Sequence, residues 1–273
     1  MQPFYFLFST IKIPQKLTFY IHIHIFLMEE RKMLPILTPS ILMNCSAFKL
    51  EMIYNKETLN LFSDASMRKL NKHKRDILAG CYGSVAVCED TIIEELYREN
   101  TFTSVPAAEL RGIRCSLYLA LKYRFNFRVI NIFSDSLYSV QSLRDYCMDW
   151  VWCEKEENYR YNKNHTQHKR PIPNQELIYE CLALINELKK TNIVNIIHQR
   201  GHIQNQPDLI PAMDAMKKFN GFNGLISYNI IRYVASYNNY VDNCTRAIVH
   251  RININNEYCD PVVFKPRPDI YLN

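Results

Sequence analysis

Glycine is scarce in this chain: six residues among 273, and neither G-x-G-x-x-G nor G-x-x-x-x-G-K-[ST] occurs. Without a glycine-rich turn to cradle phosphate at a helix N-terminus, nucleotide-cofactor folds lose most of their support. Nine cysteines are present (Cys45, Cys81, Cys88, Cys115, Cys147, Cys153, Cys181, Cys244 and Cys259), but no C-x-x-C pair occurs. An odd, scattered set argues against a zinc site and for reduced, mostly buried thiols. Long apolar runs are missing too. Residues 1–28 are rich in Phe, Tyr and Ile, yet Lys12, Pro14 and Lys16 interrupt them before the roughly 18 apolar residues a membrane span requires. The same segment lacks the basic start and small-residue cleavage site of a secretory signal. A cytoplasmic protein with no membrane partner is therefore expected, and the high Asn, Ile, Lys and Tyr usage hints at an A·T-rich genome, such as a viral one.

What the chain does have is ordinary globular composition, 48% hydrophobic and 22% charged, which excludes disordered, collagen-like and coiled-coil classes. Its length allows one to two domains. A formal charge of +6 is mild for a nucleic-acid binder, so the distribution of charge has to decide. Residues 1–57 read as an extension of unknown role, with Met28, Met33 and Met43 as alternative starts. The alternation at residues 20–25 suggests a strand whose His22 and His24 are ordinary surface residues.

Organisation becomes legible at Leu59. Leu59 to Ser66 alternates and ends in Asp-Ala-Ser, a strand delivering Asp64 to its carboxyl end. A basic connection follows, with Arg68, Lys69, Lys72, Lys74 and Arg75 and no acid among them. Strands are predicted over 77–87 and 92–96, so the first three form an antiparallel meander. Pro106 marks the first turn of a helix over 107–123. Residues 129–133 form a buried strand ending in Ser134-Asp135-Ser136, and Leu137, Val140, Leu143 and Cys147 mark a second helix, with Tyr138 assigned to the core. Residues 158–174 are a polar, acid-free stretch holding Arg160, Lys163, Lys169 and Arg170. Asn174 caps a helix marked by Leu177, Cys181, Leu184 and Leu188. Residues 193–198 form a last strand leading into Arg200-Gly201-His202. This order predicts a mixed α/β sheet.

Asp64 and Asp135 both end strands, where ligands of open α/β sheets collect. Glu109 lies near the start of the helix between them, and Asp242 begins a predicted final helix. Four convergent carboxylates would raise one another's pKa values unless neutralised. An oxygen-only set of this kind suits Mg²⁺ or Mn²⁺ better than zinc. Any one such aspartate is ordinarily a turn or cap residue; the ordered set of local words carries more weight. FSDAS, AAELRGIRCSLYLAL, IFSDSLYSV, PNQELI, RGH and NNYVDNCTRA together resemble the type 1 ribonuclease H family, over roughly residues 59–249.

The resemblance implies an RNase H-like α/β fold, a five-stranded mixed sheet of three antiparallel strands then two parallel ones, flanked by helices. It spans residues 58–250, with a tail from 251 to 273. It also implies metal-dependent hydrolysis of the RNA strand of RNA–DNA hybrids by a monomeric endonuclease acting in primer or hybrid removal. Asp64, Glu109, Asp135 and Asp242 would hold two Mg²⁺ ions, with Mn²⁺ able to substitute, about 3.5–4 Å apart as in two-metal sites. His202 would be the mobile histidine that assists proton transfer or product departure; its ordinary alternative is a solvated turn residue. Ser104 falls where the family places a phosphate-contacting hydroxyl, and Asn174 where an asparagine precedes the substrate-flanking helix. Both could instead be simple helix caps.

Departures from the family pattern are informative. Residues 204–236 read as an insertion beside the site, which makes Asp214 a rival to Asp242; the spacing Asn238-x-x-x-Asp242 followed by Thr245-Arg246 favours Asp242. Val105 and Pro106 replace residues that the family commonly uses to read the minor groove. The acid-free stretches 68–75 and 158–174 are candidates for backbone contact, since phosphate neutralisation dominates non-specific affinity. Trp150, Trp152, Tyr159 and Tyr161 flank the second stretch and could lie against sugars or simply be buried. Two alternative functions stay open: a catalytically silent hybrid- or RNA-binding module on the same fold, and a related nuclease acting on DNA duplexes or junctions.

Overall fold

A computed structural model of the chain describes residues 53, 55–69, 78–102, 104–145, 150–153, 158–161, 172–220 and 226–251. The strands are β1 (Thr58–Lys69), β2 (Leu78–Cys88), β3 (Thr91–Phe102), β4 (Val129–Ser134), β5 (Trp150–Cys153), β6 (Asn158–Tyr161) and β7 (Ile193–His198). The helices are α1 (Val105–Tyr123), α2 (Leu137–Arg144), α3 (Gln175–Lys189), α4 (Leu209–Asn220) and α5 (Tyr228–Arg251). Five strands form one mixed sheet in the order β3-β2-β1-β4-β7. The pairs β1–β2 and β2–β3 are antiparallel, whereas β1–β4 and β4–β7 are parallel. This is the RNase H-like architecture that the sequence motifs imply.

Strand alternation sends Asn60, Phe62 and Asp64 of β1 to one face and Leu59, Leu61 and Ser63 to the other. On the first face the parallel strands are layered. Asn60, Asn131 and Asn195 stand in register across β1, β4 and β7. Asn195 Nδ2 donates to Asn131 Oδ1 (2.9 Å), Asn131 Nδ2 to Asn60 Oδ1 (2.9 Å), and Asn60 Nδ2 to the Ile53 carbonyl (2.9 Å). Tyr233 of α5 joins the chain through its hydroxyl, which donates to the Glu89 carbonyl at 2.7 Å and accepts from Asn60 Nδ2. One layer further along, Phe62 stacks on Phe133 with centroids 4.9 Å apart and on Tyr237 of α5 at 5.2 Å. The next step along both strands is Asp64 and Asp135. Val85, Val87, Ile197, Leu209, Met216, Val234 and Val241 complete the apolar cluster beneath α4 and α5.

The opposite face receives α1. Gly112 explains how closely: a Cβ there would meet the Asp64 carbonyl oxygen at 3.1 Å, so a glycine lets the helix lie against the central strand. Ser116, one turn on, meets Ser84 of β2 through a 2.7 Å hydroxyl pair, both residues fully buried.

Several sequence expectations are corrected. β3 runs to Phe102 rather than ending at Leu96. α2 stops at Arg144, and Cys147 lies outside the described residues. Tyr138 is half-buried, with its hydroxyl donating to the Pro173 carbonyl at 3.2 Å; it is not core. The stretch expected to be a polar loop contains a hairpin, β5 pairing with β6 through Trp150↔Tyr161 and Trp152↔Tyr159. Its strands are only four residues long, too short for a periodic signal. Asp242 does not begin the final helix, which starts at Tyr228; the apolar face Ile231, Val234, Tyr233 and Val241 carries it upstream. The calls on residues 1–52, 70–77, 162–171 and 252–273, including His22, His24, Lys72, Lys74, Arg75, Lys163, Lys169 and Arg170, lie outside the described residues. Arg160 belongs to β6 by its backbone, and its side chain lies outside the described set. No helix among the described residues is long and apolar enough to cross a membrane.

Asn131 is fully buried and sits in the middle of the amide chain. Asn131→Ala strands a donor on Asn195 and an acceptor on Asn60, at about 1–3 kcal/mol per buried group left unpaired. Urea denaturation is expected to show a midpoint lowered accordingly with little change in slope.

Candidate metal centre

Three carboxylates meet where the layered face ends. Ligand oxygens of Asp64, Glu109 and Asp135 all lie within 4.8 Å of one another. Asp64 does not end its strand, as the sequence suggests, but lies within β1, which continues to Lys69 in its pairing with β2. Its parallel partner β4 does stop there, and Asp135 follows β4 one step beyond the Ser63↔Ser134 register pair. Glu109 comes from the second turn of α1, three residues before Gly112 and hence on the same helix face. The close approach that Gly112 permits is what brings Glu109 to the two aspartates.

Such crowding shifts the acids upward. Burial, then the Asp135 and Asp242 charges, push Asp64 up to about 7, against a hydrogen bond from Thr245 and one from the Ala65 backbone. Burial first, and then the other three carboxylates, raise Glu109 well above its ordinary range. Asp135 is raised by burial, while an Asn238 hydrogen bond and the nearby His202 pull the other way. Glu109 Oε2 is buried with no hydrogen-bond partner. An orphaned carboxylate oxygen facing two further acids fits a hard cation, which satisfies oxygen donors and removes their repulsion. The donor set contains no nitrogen or sulfur, in keeping with Mg²⁺ or Mn²⁺.

Asp242, half a helix into α5, stands beside this group and outside the three-acid cluster. Its Oδ1 accepts from Arg246 Nε at 2.8 Å, and its Oδ2 lies 3.6 Å from His202 Nδ1. The Arg246 guanidinium also approaches His202 Nδ1 at 3.4 Å. His202 is exposed and adopts φ 55°, a left-handed conformation that costs a non-glycine residue about 1–3 kcal/mol and clusters at functional sites. Asp214, the rival acid, is exposed on α4 and touches none of these groups through a recorded hydrogen bond or ion pair.

Ser104 and Asn174 occupy the N-cap positions of α1 and α3, and neither side chain makes a capping hydrogen bond. Asn174 takes φ 58°, which asparagine tolerates better than most residues. The capping explanation expected for both side chains is thereby corrected, and their hydroxyl and amide are free of that duty. Three residues that the sequence motifs name only as context have direct roles that sequence reasoning missed. Thr245 donates to Asp64 Oδ2 at 3.0 Å. Asn238 holds Asp135. Gly201 leaves space for Asp135, since a Cβ there would overlap Asp135 Oδ2. The signal for the first two was a buried polar stripe, Asn238, Asp242 and Thr245, at helical spacing on an otherwise apolar face.

The RNase H family profile matches residues 56–210, more than half of the chain. The chain belongs to the RNase H family. Among solved structures, the protease-reverse transcriptase of prototype foamy virus is similar at 16% identity and TM-score 0.49, covering 76% of this chain and 22% of that one. This chain thus spans about a fifth of the viral protein. LC9-RNase H1, described as a type 1 RNase H with the type 2 active-site motif, is 14% identical with TM-score 0.45, covering 72% and 74% of the two chains. RNase H1 from the halophilic archaeon Halobacterium salinarum NRC-1 is 15% identical with TM-score 0.34, covering 58% and 93%. No curated protein matches the sequence. The family match ends before α5, so Asp242 and Thr245 of this RNase H domain are placed by geometry alone.

Two outcomes follow from the carboxylate geometry. Asp64 titrates near 3.8 ordinarily and near 7 in the fold, so between those values the native protein holds a proton that the unfolded chain has released. Its contribution to stability is complete below about pH 4 and lost as pH rises through about 7, at up to ~1.4 kcal/mol per pH unit. The metal-free Tm is expected to fall from about pH 5 to about pH 8, Asp64→Asn should flatten that slope, and added Mg²⁺ should raise Tm more at the higher pH. Gly201→Ala displaces the flexible end of Asp135 rather than backbone, so it should weaken Mg²⁺ binding by about 10–100-fold, the size of effect seen for supporting groups. Calorimetric titration with Mg²⁺ beside a melting curve separates that loss from unfolding.

Proposed function

We propose that this RNase H domain is a divalent-metal-dependent endonuclease that hydrolyses the RNA strand of RNA–DNA hybrids. The observation that carries the reading is the convergence of Asp64, Glu109 and Asp135 within 4.8 Å, on a chain that belongs to the RNase H family. The acids hold Mg²⁺ or Mn²⁺, two ions with Asp242 completing the set. Bound there, the cations supply a water activated for in-line attack at phosphorus and charge stabilisation for the departing 3′ oxygen.

The protein's own groups then divide the remaining work. Asp64, within β1, and Asp135, directly after β4, present carboxylates from the rigid sheet, which limits reorganisation at the moment of reaction. Glu109 approaches from α1 with an oxygen that has no protein partner to give up. His202, exposed and beside Asp242, is placed to carry a proton to the leaving oxygen and to move with the product. Ser104, at the start of α1, offers its hydroxyl to a substrate phosphate roughly 7 Å along the helix axis from Glu109. Asn174 offers its amide at the start of α3, and Arg160, Lys163, Lys169 and Arg170 bind backbone phosphates electrostatically. Choice of the RNA strand rests on 2′-hydroxyl contacts across the wide minor groove of the hybrid. The catalytic domain comprises residues 58–250, with 204–236 an insertion, and the chain acts as a monomer.

Asp135→Asn keeps the side-chain shape and removes a ligand charge. Cleavage of an end-labelled hybrid in Mg²⁺ is expected to drop at least 100-fold, beyond the roughly 10–100-fold cost of losing an outer supporting group. Wild-type activity in that variant would overturn the site. Parallel RNA–RNA and DNA–DNA duplexes should resist cleavage; cutting of DNA duplex with hybrid intact would favour a DNA nuclease, and metal-independent binding without cleavage a silent binding module.

A further inference from the structure

We propose that Thr245 is a positioning residue of the metal centre, its hydroxyl tying the Asp64 carboxylate to α5 so that Asp64 holds the orientation towards Glu109 and Asp135 that a cation requires. The inference deepens the nuclease reading above and rests on it. Thr245 has no exposed surface, and its Oγ1 has three neighbours: Asp64 Oδ2 at 3.0 Å, Ser66 Oγ at 3.1 Å and the Asp242 carbonyl at 3.0 Å. A hydroxyl has one proton and two lone pairs. With Asp64 ionised, the proton goes to the carboxylate, the stronger acceptor, while the Ser66 hydroxyl and the Asp242 carbonyl stand beside it as competing acceptors.

This is unusual work for a helical threonine, whose hydroxyl commonly turns back to a carbonyl of the preceding turn. Here that carbonyl belongs to Asp242, so the same oxygen borders the backbone of one site acid and the side chain of another. The connection also runs between elements that are 181 residues apart in sequence, β1 and α5. No other recorded side-chain hydrogen bond joins Asp64 to α5 among the described residues. Remove the hydroxyl and Asp64 Oδ2 loses its side-chain donor, leaving the Ala65 backbone alone to hold the carboxylate within a cluster whose other members repel it.

Thr245→Val keeps the shape and removes the hydroxyl, whereas Thr245→Ser keeps the hydroxyl and removes the methyl. Three readouts are taken on the full chain: Mg²⁺ affinity by calorimetry without nucleic acid, kcat and KM on RNA–DNA hybrid, and the denaturation midpoint. Thr245→Val is expected to weaken Mg²⁺ binding at least fivefold and lower kcat about tenfold at saturating hybrid, with KM within twofold of wild type. Thr245→Ser should recover most of both losses even if its midpoint falls further than that of the valine variant. Wild-type Mg²⁺ affinity in Thr245→Val, or a serine variant as impaired as valine, would overturn the proposal. A wild-type protein that binds Mg²⁺ and fails to cut hybrid would overturn the nuclease reading alone, and the affinity difference between wild type and Thr245→Val would still support the role of Thr245.

Discussion

The asparagine chain through Asn60, Asn131 and Asn195 is the constraint on which the rest depends. Parallel strands are held by evenly spaced hydrogen bonds that look much the same one register step away. A buried amide does not tolerate that ambiguity: slipping β4 by one residue would turn Asn131 to the other face and leave the fully buried Asn60 Oδ1 without its partner, at about 1–3 kcal/mol, with a smaller loss at the half-buried Asn195 Nδ2. With the amides aligned, Phe62 meets Phe133 in the next layer, and Asp64 meets Asp135 in the one after. The separation of the two carboxylates is therefore set two layers below them. Tyr233 extends the same logic to α5, since its hydroxyl reaches the amide chain while Tyr237, one turn on, stacks on Phe62. Continuing along that helix leads to Asn238, Asp242 and Thr245 at the level of the acids.

Much of this was legible from residue order. The words around Asp64, Glu109 and Asp135 single out the three acids that converge, although Asp64 sits inside a strand that runs on to Lys69; what converges is the end of the parallel pairing with β4 and the start of α1. The asparagines were equally visible in LNLF, INIF and VNII, yet a single Asn in a strand carries no information until its neighbours are known; the meaning lies in the register. Gly112 is a similar case, an unremarkable helix glycine until the backbone of Asp64 is found against it. Thr245 and Arg246 were readable only as part of an ending. The start of α5 was missed because Asn238-Asn239 looks like a loop, although Asn238 is buried against Asp135 and Asn239 donates to the Ile203 carbonyl at 3.1 Å. The β5–β6 hairpin was missed because its strands are short and its neighbours are polar.

The site is arranged at an electrostatic cost that the fold does not itself relieve. Burial raises Asp64, Glu109 and Asp135 together, and the cation paired at their edge is peripheral: Arg246 pairs with Asp242 while its side chain remains half exposed. A structural ion-pair network would place a guanidinium among the three acids. Leaving Glu109 Oε2 buried and unpartnered instead is the arrangement of an acidic cluster suited to a cation rather than of a structural ion-pair network.

Finally, α4 is more than filler between β7 and α5. β7 is an edge strand, and at its last residue Asn220, the end of α4, does what a neighbouring strand would do. Its Oδ1 accepts from the His198 N–H at 2.9 Å and its Nδ2 donates to the His198 carbonyl at 2.7 Å. The same Oδ1 accepts from Arg144 of α2 at 3.0 Å. One amide thus closes the open edge and ties three elements together four residues before His202. On the other flank the His198 ring hydrogen-bonds the Asp135 backbone and packs edge-on against Phe219 at 5.3 Å. The segment from Gln199 to His202 leaves a strand end pinned on both sides, and that rigidity lets Gly201 pass against Asp135 while His202 holds a left-handed conformation in solvent. Helix α4 therefore braces the loop that brings the histidine to the acids.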